Sequence, residues 1–90
     1  MGSKRSKLEV VKDILTSIRN RDGRIKRTHI LYKANLSHRM LDEYLNDLMS
    51  RGFVEEIELK KGGKRYKLTE RGHEYLNKFN MVSGFMDLFG

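Results

Sequence analysis

The stretch Thr28-His29-Ile30-Leu31-Tyr32-Lys33-Ala34-Asn35-Leu36-Ser37-His38-Arg39-Met40-Leu41 decides the fold. It reads as a short helix, a tight turn and the start of a longer helix. Ile30 and Leu31 face inward on the first helix, over residues 27–34, and Thr28 lies near its start. Asn35 tolerates the left-handed backbone that a tight turn needs, and Leu36 plugs that turn. Ser37 then accepts from the orphan N–H groups of the next helix. That helix runs to about residue 51, with Leu41, Tyr44, Leu45 and Leu48 inward and Met40 and Met49 at the margins. Gly52 stops it.

Upstream, residues 8–20 form an amphipathic helix with Leu8, Val11, Leu15 and Ile18 on one stripe and Ile14 beside them. Ser6 is its expected N-cap, and Arg21-Asp22-Gly23 ends it. Downstream, residues 53–59 alternate, with Phe53, Ile57 and Leu59 expected on the inner face and Glu56 and Glu58 on the outer. Two glycines make a turn of Lys60-Lys61-Gly62-Gly63-Lys64. Arg65-Tyr66-Lys67-Leu68 returns as the partner strand, with Tyr66 and Leu68 facing in. Thr69 caps a last helix that begins at Glu70 and reaches at least Asn80. The predicted class is mainly α with one β-hairpin, in the order α-α-α-β-β-α, which is the winged helix-turn-helix arrangement with a C-terminal helix. The expected organisation is a flexible basic arm over 1–7, the domain over 8–68, and a C-terminal helix with an apolar tail over 69–90.

The 90 residues carry a formal charge of +7 and no cysteine or proline. No apolar run approaches the ~18 residues that span a bilayer, and the basic start has no apolar segment behind it, so it is not read as a signal peptide. Residues 1–33 hold ten Lys/Arg against three acids; residues 34–59 hold two against six; residues 60–90 hold seven against three. Two basic segments thus flank an acidic one. A basic face is the footprint of a nucleic-acid binder, because each neutralised phosphate releases counterions. Solubility alone is the plainer account of a basic chain.

Three groups are candidates for DNA contact. The hairpin tip holds Lys60, Lys61, Lys64 and Arg65 around Gly62-Gly63, suited to lie along the backbone or in the minor groove, although exposed tips are often Lys/Gly-rich. The entrance to the second helix holds Arg24, Lys26, Arg27 and Thr28, read as phosphate contacts. Lys4, Arg5 and Lys7 would extend them as an arm. The outward face of the third helix holds Ser37, His38, Arg39 and Asn46, expected to approach the groove. Asp42, Glu43 and Asp47 repel phosphate there, so only the first turn is expected to come close. A solvated helix face accounts equally well for His38 and Arg39.

Residues 8–20, residues 28–37, Gly52-Phe53-Val54 and Tyr66-Lys67-Leu68-Thr69-Glu70-Arg71-Gly72 together resemble archaeal winged-helix regulators. They look particularly like the 10a-type chromatin proteins of Sulfolobus and its relatives. The resemblance covers most of residues 6–79. It implies sequence-tolerant binding of double-stranded DNA, a nucleoid or regulatory role in the cytoplasm, and dimers through a long C-terminal helix. The chain departs from that pattern at its end, where Gly84 is expected to interrupt a short last helix.

If that helix continues, Tyr75, Phe79, Val82, Met86 and Phe89 follow heptad spacing, with Leu76, Phe85 and Leu88 beside them. The expected role is a homodimer interface; the alternative is a tail folded back on its own domain. No catalytic set appears: there is neither a phosphate-binding Gly-Lys-Ser/Thr loop nor a His-Glu-x-x-His pair. Three histidines on three elements, without cysteine, make no metal site. The chain is read as a non-enzyme with no cofactor, no small-molecule substrate and no membrane partner. A protein–protein adaptor is the rival reading, favoured by the acids on the third helix. RNA has little support, because no aromatic stacking platform is present.

Overall fold

The computed structural model describes residues 5–88. The element order is α1 (Lys7–Arg21), α2 (Arg27–Ala34), α3 (His38–Ser50), β1 (Val54–Glu58), β2 (Lys64–Leu68) and α4 (Glu70–Leu88). The winged helix-turn-helix order of the sequence reading is therefore the order of the molecule. Each boundary has a chemical cause. Ser6 starts α1 with a reciprocal capping box: its hydroxyl accepts from Glu9 N at 3.1 Å, and Glu9 Oε1 accepts from Ser6 N at 3.0 Å. That backbone donor holds the Glu9 carboxyl below its ordinary pKa. Asp22 ends the helix in the left-handed region at φ 48°. Asn35, at φ 54°, does the same for α2. Ser37 caps α3, its hydroxyl accepting from Met40 N at 3.2 Å. The turn of Asn35-Leu36 is thus closed at both ends by its own residues.

The core is one cluster beneath the helix-turn-helix. Val10, Val11, Ile14, Leu15 and Ile18 of α1 meet Ile30 and Ala34 of α2 and Leu41, Leu45 and Leu48 of α3. Val54, Tyr66, Leu68 and Leu76 close it from the hairpin and α4. Burying each of the larger aliphatic side chains contributes roughly 1.5–3 kcal/mol. Leu8, expected on the inner stripe of α1, is instead 54% exposed. It sits at the outer end of the helix, and the inner stripe begins at Val10. Ile25, unassigned in the sequence reading, is buried and pairs with the hairpin as an isolated bridge, its carbonyl accepting from Tyr66 N at 3.1 Å.

The hairpin corrects the expected face of β1. Its register sets Val54 opposite Leu68, Glu56 opposite Tyr66 and Glu58 opposite Lys64. Directly opposed residues of an antiparallel pair share a face. Because Tyr66 and Leu68 are buried, Val54 and Glu56 lie on the inner side, and Ile57 lies on the outer side opposite Arg65. The parity slipped because Phe53 belongs to the turn, not the strand. Its N–H donates to Leu48 O at 2.9 Å, and its ring stacks on Tyr75 with centroids 4.8 Å apart.

α4 continues through Gly84 to Leu88, which is the course the heptad spacing requires and not the interruption expected at Gly84. Thr69 caps it, accepting from Gly72 N at 3.0 Å while donating its hydroxyl to Gly52 O at 2.6 Å. Gly72 is buried against the carbonyl of Phe53, where a Cβ would fall well inside van der Waals contact. The Leu-Thr-Glu-Arg-Gly return therefore has a packing reason. It seats the first turn of α4 on the loop between α3 and β1.

Candidate nucleic-acid interface

The wing is built to be open. Gly62 and Gly63 both take positive φ, 89° and 90°, which a side chain would strain. Gly62 N donates to Leu59 O, and Leu59 N donates to Gly63 O, each at 3.0 Å, closing the tip. Lys60 and Lys61 are exposed there, with no acidic partner within 4 Å among the described residues. Lys64 is drawn toward Glu56 at 3.5 Å. Glu56 Oε2 also accepts from the Tyr66 hydroxyl at 3.0 Å. Burial first, and then the neighbouring carboxylate, push the Tyr66 hydroxyl up to about 12.

Folding brings two of the three predicted groups together. Lys26, Arg27 and Thr28, at the start of α2, face Gly62, Gly63, Lys64 and Arg65 of the wing across an open groove of about 370 Å³. Its lining has four cations, one hydroxyl, two glycines and no carboxylate. Lys26 holds the N-cap position of α2, and its side chain makes no cap hydrogen bond. Arg24 is exposed in the preceding turn, outside this lining. Arg5, expected in a basic arm, instead hydrogen-bonds Asp13 and the Ala34 carbonyl, and Lys7 is the first residue of α1. Lys4 lies outside the described residues.

The third helix is differently arranged. Arg27 reaches across from α2 to its first turns. Arg27 Nε and Nη2 donate to Asp42 Oδ1 at 3.2 and 2.6 Å, Nη2 donates to the His38 carbonyl at 2.9 Å, and Nη1 lies 2.6 Å from His38 Nδ1. Asp42, expected to repel phosphate, thus carries its own counter-charge. Arg39 is 90% exposed and meets Glu43 at 3.4 Å in an i,i+4 pair, an attraction of a few tenths of a kcal/mol. Asp47 pairs with Arg51. Ser37 serves as the cap, and Asn46 is exposed further along the helix. The Arg27–Asp42 pair has no signature in the sequence. Fifteen positions separate the partners, and only the turn at Asn35-Leu36 brings them together.

The predicted seam on α4 divides. Tyr75 stacks on Phe53, Leu76 is buried in the core, and the ring of Phe79 lies under the Lys12 ammonium at 5.7 Å. These three face their own domain. Beyond them Met81, Val82, Phe85, Met86 and Leu88 are all more than half exposed. Phe89 lies outside the described residues. Among the described residues no three His, Asp or Glu side chains are placed to hold a metal ion. Among the described residues no helix is long and apolar enough to cross a membrane. A second cavity, of about 340 Å³, opens between α1 and α2 beside His29, Tyr32 and Lys33 and contains none of the predicted contact residues.

The family model described as "Winged helix-turn-helix" matches residues 4–86. An uncharacterized protein of Methanocaldococcus jannaschii is 39% identical over 69 residues, 77% of this chain; the aligned part spans 64% of that relative's length. Among solved structures, Sso10a-2, a DNA-binding protein from Sulfolobus solfataricus, superposes with a TM-score of 0.71 over 91% of this chain and 85% of that one, at 21% identity. MepR, a transcription regulator of the Staphylococcus aureus multidrug efflux pump MepA, does so with a TM-score of 0.79 over 89% and 60%, at 15% identity. At these identities the two structures establish likeness of fold.

Proposed function

Because the chain belongs to the winged helix-turn-helix family, we propose that it binds double-stranded DNA, as a transcriptional regulator or nucleoid-architectural protein of the cytoplasm. The observation that carries this reading is the carboxylate-free cationic groove between the start of α2 and the wing. Lys26, Thr28, Lys64 and Arg65 hold phosphates from its two sides, and Lys60 and Lys61 extend the contact beyond the tip. Ser37, His38, Arg39 and Asn46 stand toward the major groove. Arg24 adds a cation at the margin. Phosphate contacts outnumber base contacts in this arrangement, so affinity depends weakly on sequence.

The DNA-binding name of the Sulfolobus structure and the regulator name of the staphylococcal one agree with this assignment. The exposed Met81, Val82, Met86 and Leu88 support a homodimer through the far half of α4, since an apolar stripe on a long helix needs a cover. A two-fold pair would present two wings and bridge or bend a duplex.

The test is a titration of the full chain into a mixed-sequence duplex of about 30 base pairs at several salt concentrations. The same titration is run with Lys60, Lys61 and Lys64 all changed to Ala. The wild type binds with a steep salt dependence, and the triple variant binds more weakly with a slope lower by about three. Absence of binding at low salt overturns the reading in favour of a protein–protein adaptor. Light scattering at high concentration checks the dimer; a monomer mass removes it.

A further inference from the structure

The Arg27 fork holds an inference beyond its charge, and it rests on the DNA-binding reading for its second half. A guanidinium has five N–H donors and no acceptor. Four of the five are engaged within the chain: two on Asp42 Oδ1, one on the His38 carbonyl and one on His38 Nδ1. Arg27 is only 29% exposed, whereas Asp42 is 61% exposed. Arg27 therefore lines the groove without being one of its available phosphate ligands. The contact with His38 has a second consequence. Arginine only donates, so His38 Nδ1 must be the acceptor, and the ring proton sits on Nε2. His38 is exposed at the first position of the reading helix.

We infer that Arg27 is a positioning residue: it neutralises Asp42 on the reading face and locks His38 in the Nε2–H tautomer, so that His38 meets DNA as a hydrogen-bond donor to a phosphate or base acceptor. This changes the role of Arg27, read from the sequence as a phosphate contact, and keeps His38 toward the groove. The arginine organises, and the histidine contacts. It also explains how an acid can stand about one turn from the start of a reading helix without repelling the duplex. The charge is cancelled by a side chain that approaches from α2, and the pair is preformed rather than assembled on binding.

Two measurements on the full chain separate the halves. Ring-nitrogen NMR without DNA at pH 8 is expected to give His38 an unprotonated Nδ1 and a protonated Nε2. Arg27→Lys keeps the charge but loses the fork, and gives mixed tautomers. A wild-type His38 with its proton on Nδ1 overturns the proposal at once. With duplex, Arg27→Ala is expected to bind roughly tenfold more weakly, because it uncovers Asp42. The double variant Arg27→Ala/Asp42→Asn, which carries neither charge, recovers most of that loss with the wild-type salt slope. If the double variant instead fails to recover and its slope falls by about one, Arg27 is a direct phosphate contact and the proposal fails.

For the histidine, His38→Gln carries its amide nitrogen near the position of Nε2 and is expected to retain binding. His38→Ala loses roughly fivefold, the scale of one net hydrogen bond. Equal affinity of His38→Ala and wild type removes His38 as a donor. Failure of the wild type to bind any duplex, with the tautomer as expected, overturns the DNA reading and His38's donor role, and leaves the clamp as a structural element. Thermal unfolding of each variant shows that it is folded.

Discussion

The tip of the wing and the third helix arrange their charged side chains in opposite ways. At the wing, the cations are open: Lys60 and Lys61 stand free of carboxylates among the described residues, and Lys64 is held only loosely by Glu56. On α3, charges are matched in place, with Arg27 on Asp42, Arg39 near Glu43 and Arg51 on Asp47. A surface of open cations attracts a polyanion from any direction and any sequence. A surface of matched charges adds little net attraction but fixes the direction of its remaining donors. On the DNA-binding proposal, this difference gives affinity to the wing and orientation to the helix. Each half can be broken separately.

The largest effect is expected at the seat of the wing. Gly72→Ala forces a Cβ against the Phe53 carbonyl, a backbone neighbour with little room to yield. Overpacking of this kind costs roughly 1–3 kcal/mol, and alanine's better helix propensity returns up to about 1. Chemical denaturation should show a loss of about 2 kcal/mol. Because the hairpin and α4 share that seat through Thr69 and Gly52, the wing should loosen before the helix-turn-helix, with hydrogen exchange rising first over residues 54–68. Uniform exchange across the chain would mean that wing and helix form a single unit.

A smaller effect is expected at the reading helix. Ser37→Ala removes the cap on Met40 N and should cost about 1 kcal/mol of stability. If α3 sets orientation, this variant weakens DNA binding without changing the salt slope, because no phosphate ligand of the wing is lost. A lower slope would place Ser37 itself on a phosphate and narrow the contrast between the two regions.

What was legible in the sequence follows the range of the physics involved. Caps and turns are local, so Ser6, Asn35, Ser37 and Thr69 could be read from their own neighbourhoods, and all four occupy the places expected of them. The stripes of α1 and α3 were legible because helical period and burial coincide; Leu8 departs because it stands at the first turn of α1, where it is 54% exposed. The inner face of β1 was misread by one residue, since Phe53 is apolar for the turn's stacking on Tyr75 and not for the strand. A period of two turns such a slip into a complete inversion. The course of α4 past Gly84 stayed open between continuation and interruption, because a single glycine lowers helix propensity without ending a helix. The convergence of Lys26 with Lys64, and of Arg27 with Asp42, depends on tertiary approach and leaves no pattern in spacing.

The finest test concerns the junction between the two regions. Tyr66 lies on the inner face of the wing, bonded through its backbone to Ile25 and through its hydroxyl to Glu56, which also holds Lys64. Its pKa is raised to about 12 by burial and by the Glu56 carboxylate. The ordinary value is about 10. A raised value means that the folded chain holds the phenolic proton more tightly than the unfolded chain does. The resulting stabilisation is complete below about pH 10 and is lost as pH rises toward 12. Denaturation midpoints should therefore fall across that window in the wild type. Tyr66→Phe removes the titrating group and leaves Glu56 without the hydroxyl, so its curve should start lower and fall less steeply. Parallel curves for the two proteins would show that Tyr66 does not ionise with unfolding. The link from Ile25 through Tyr66 to Lys64 would then be one of packing alone.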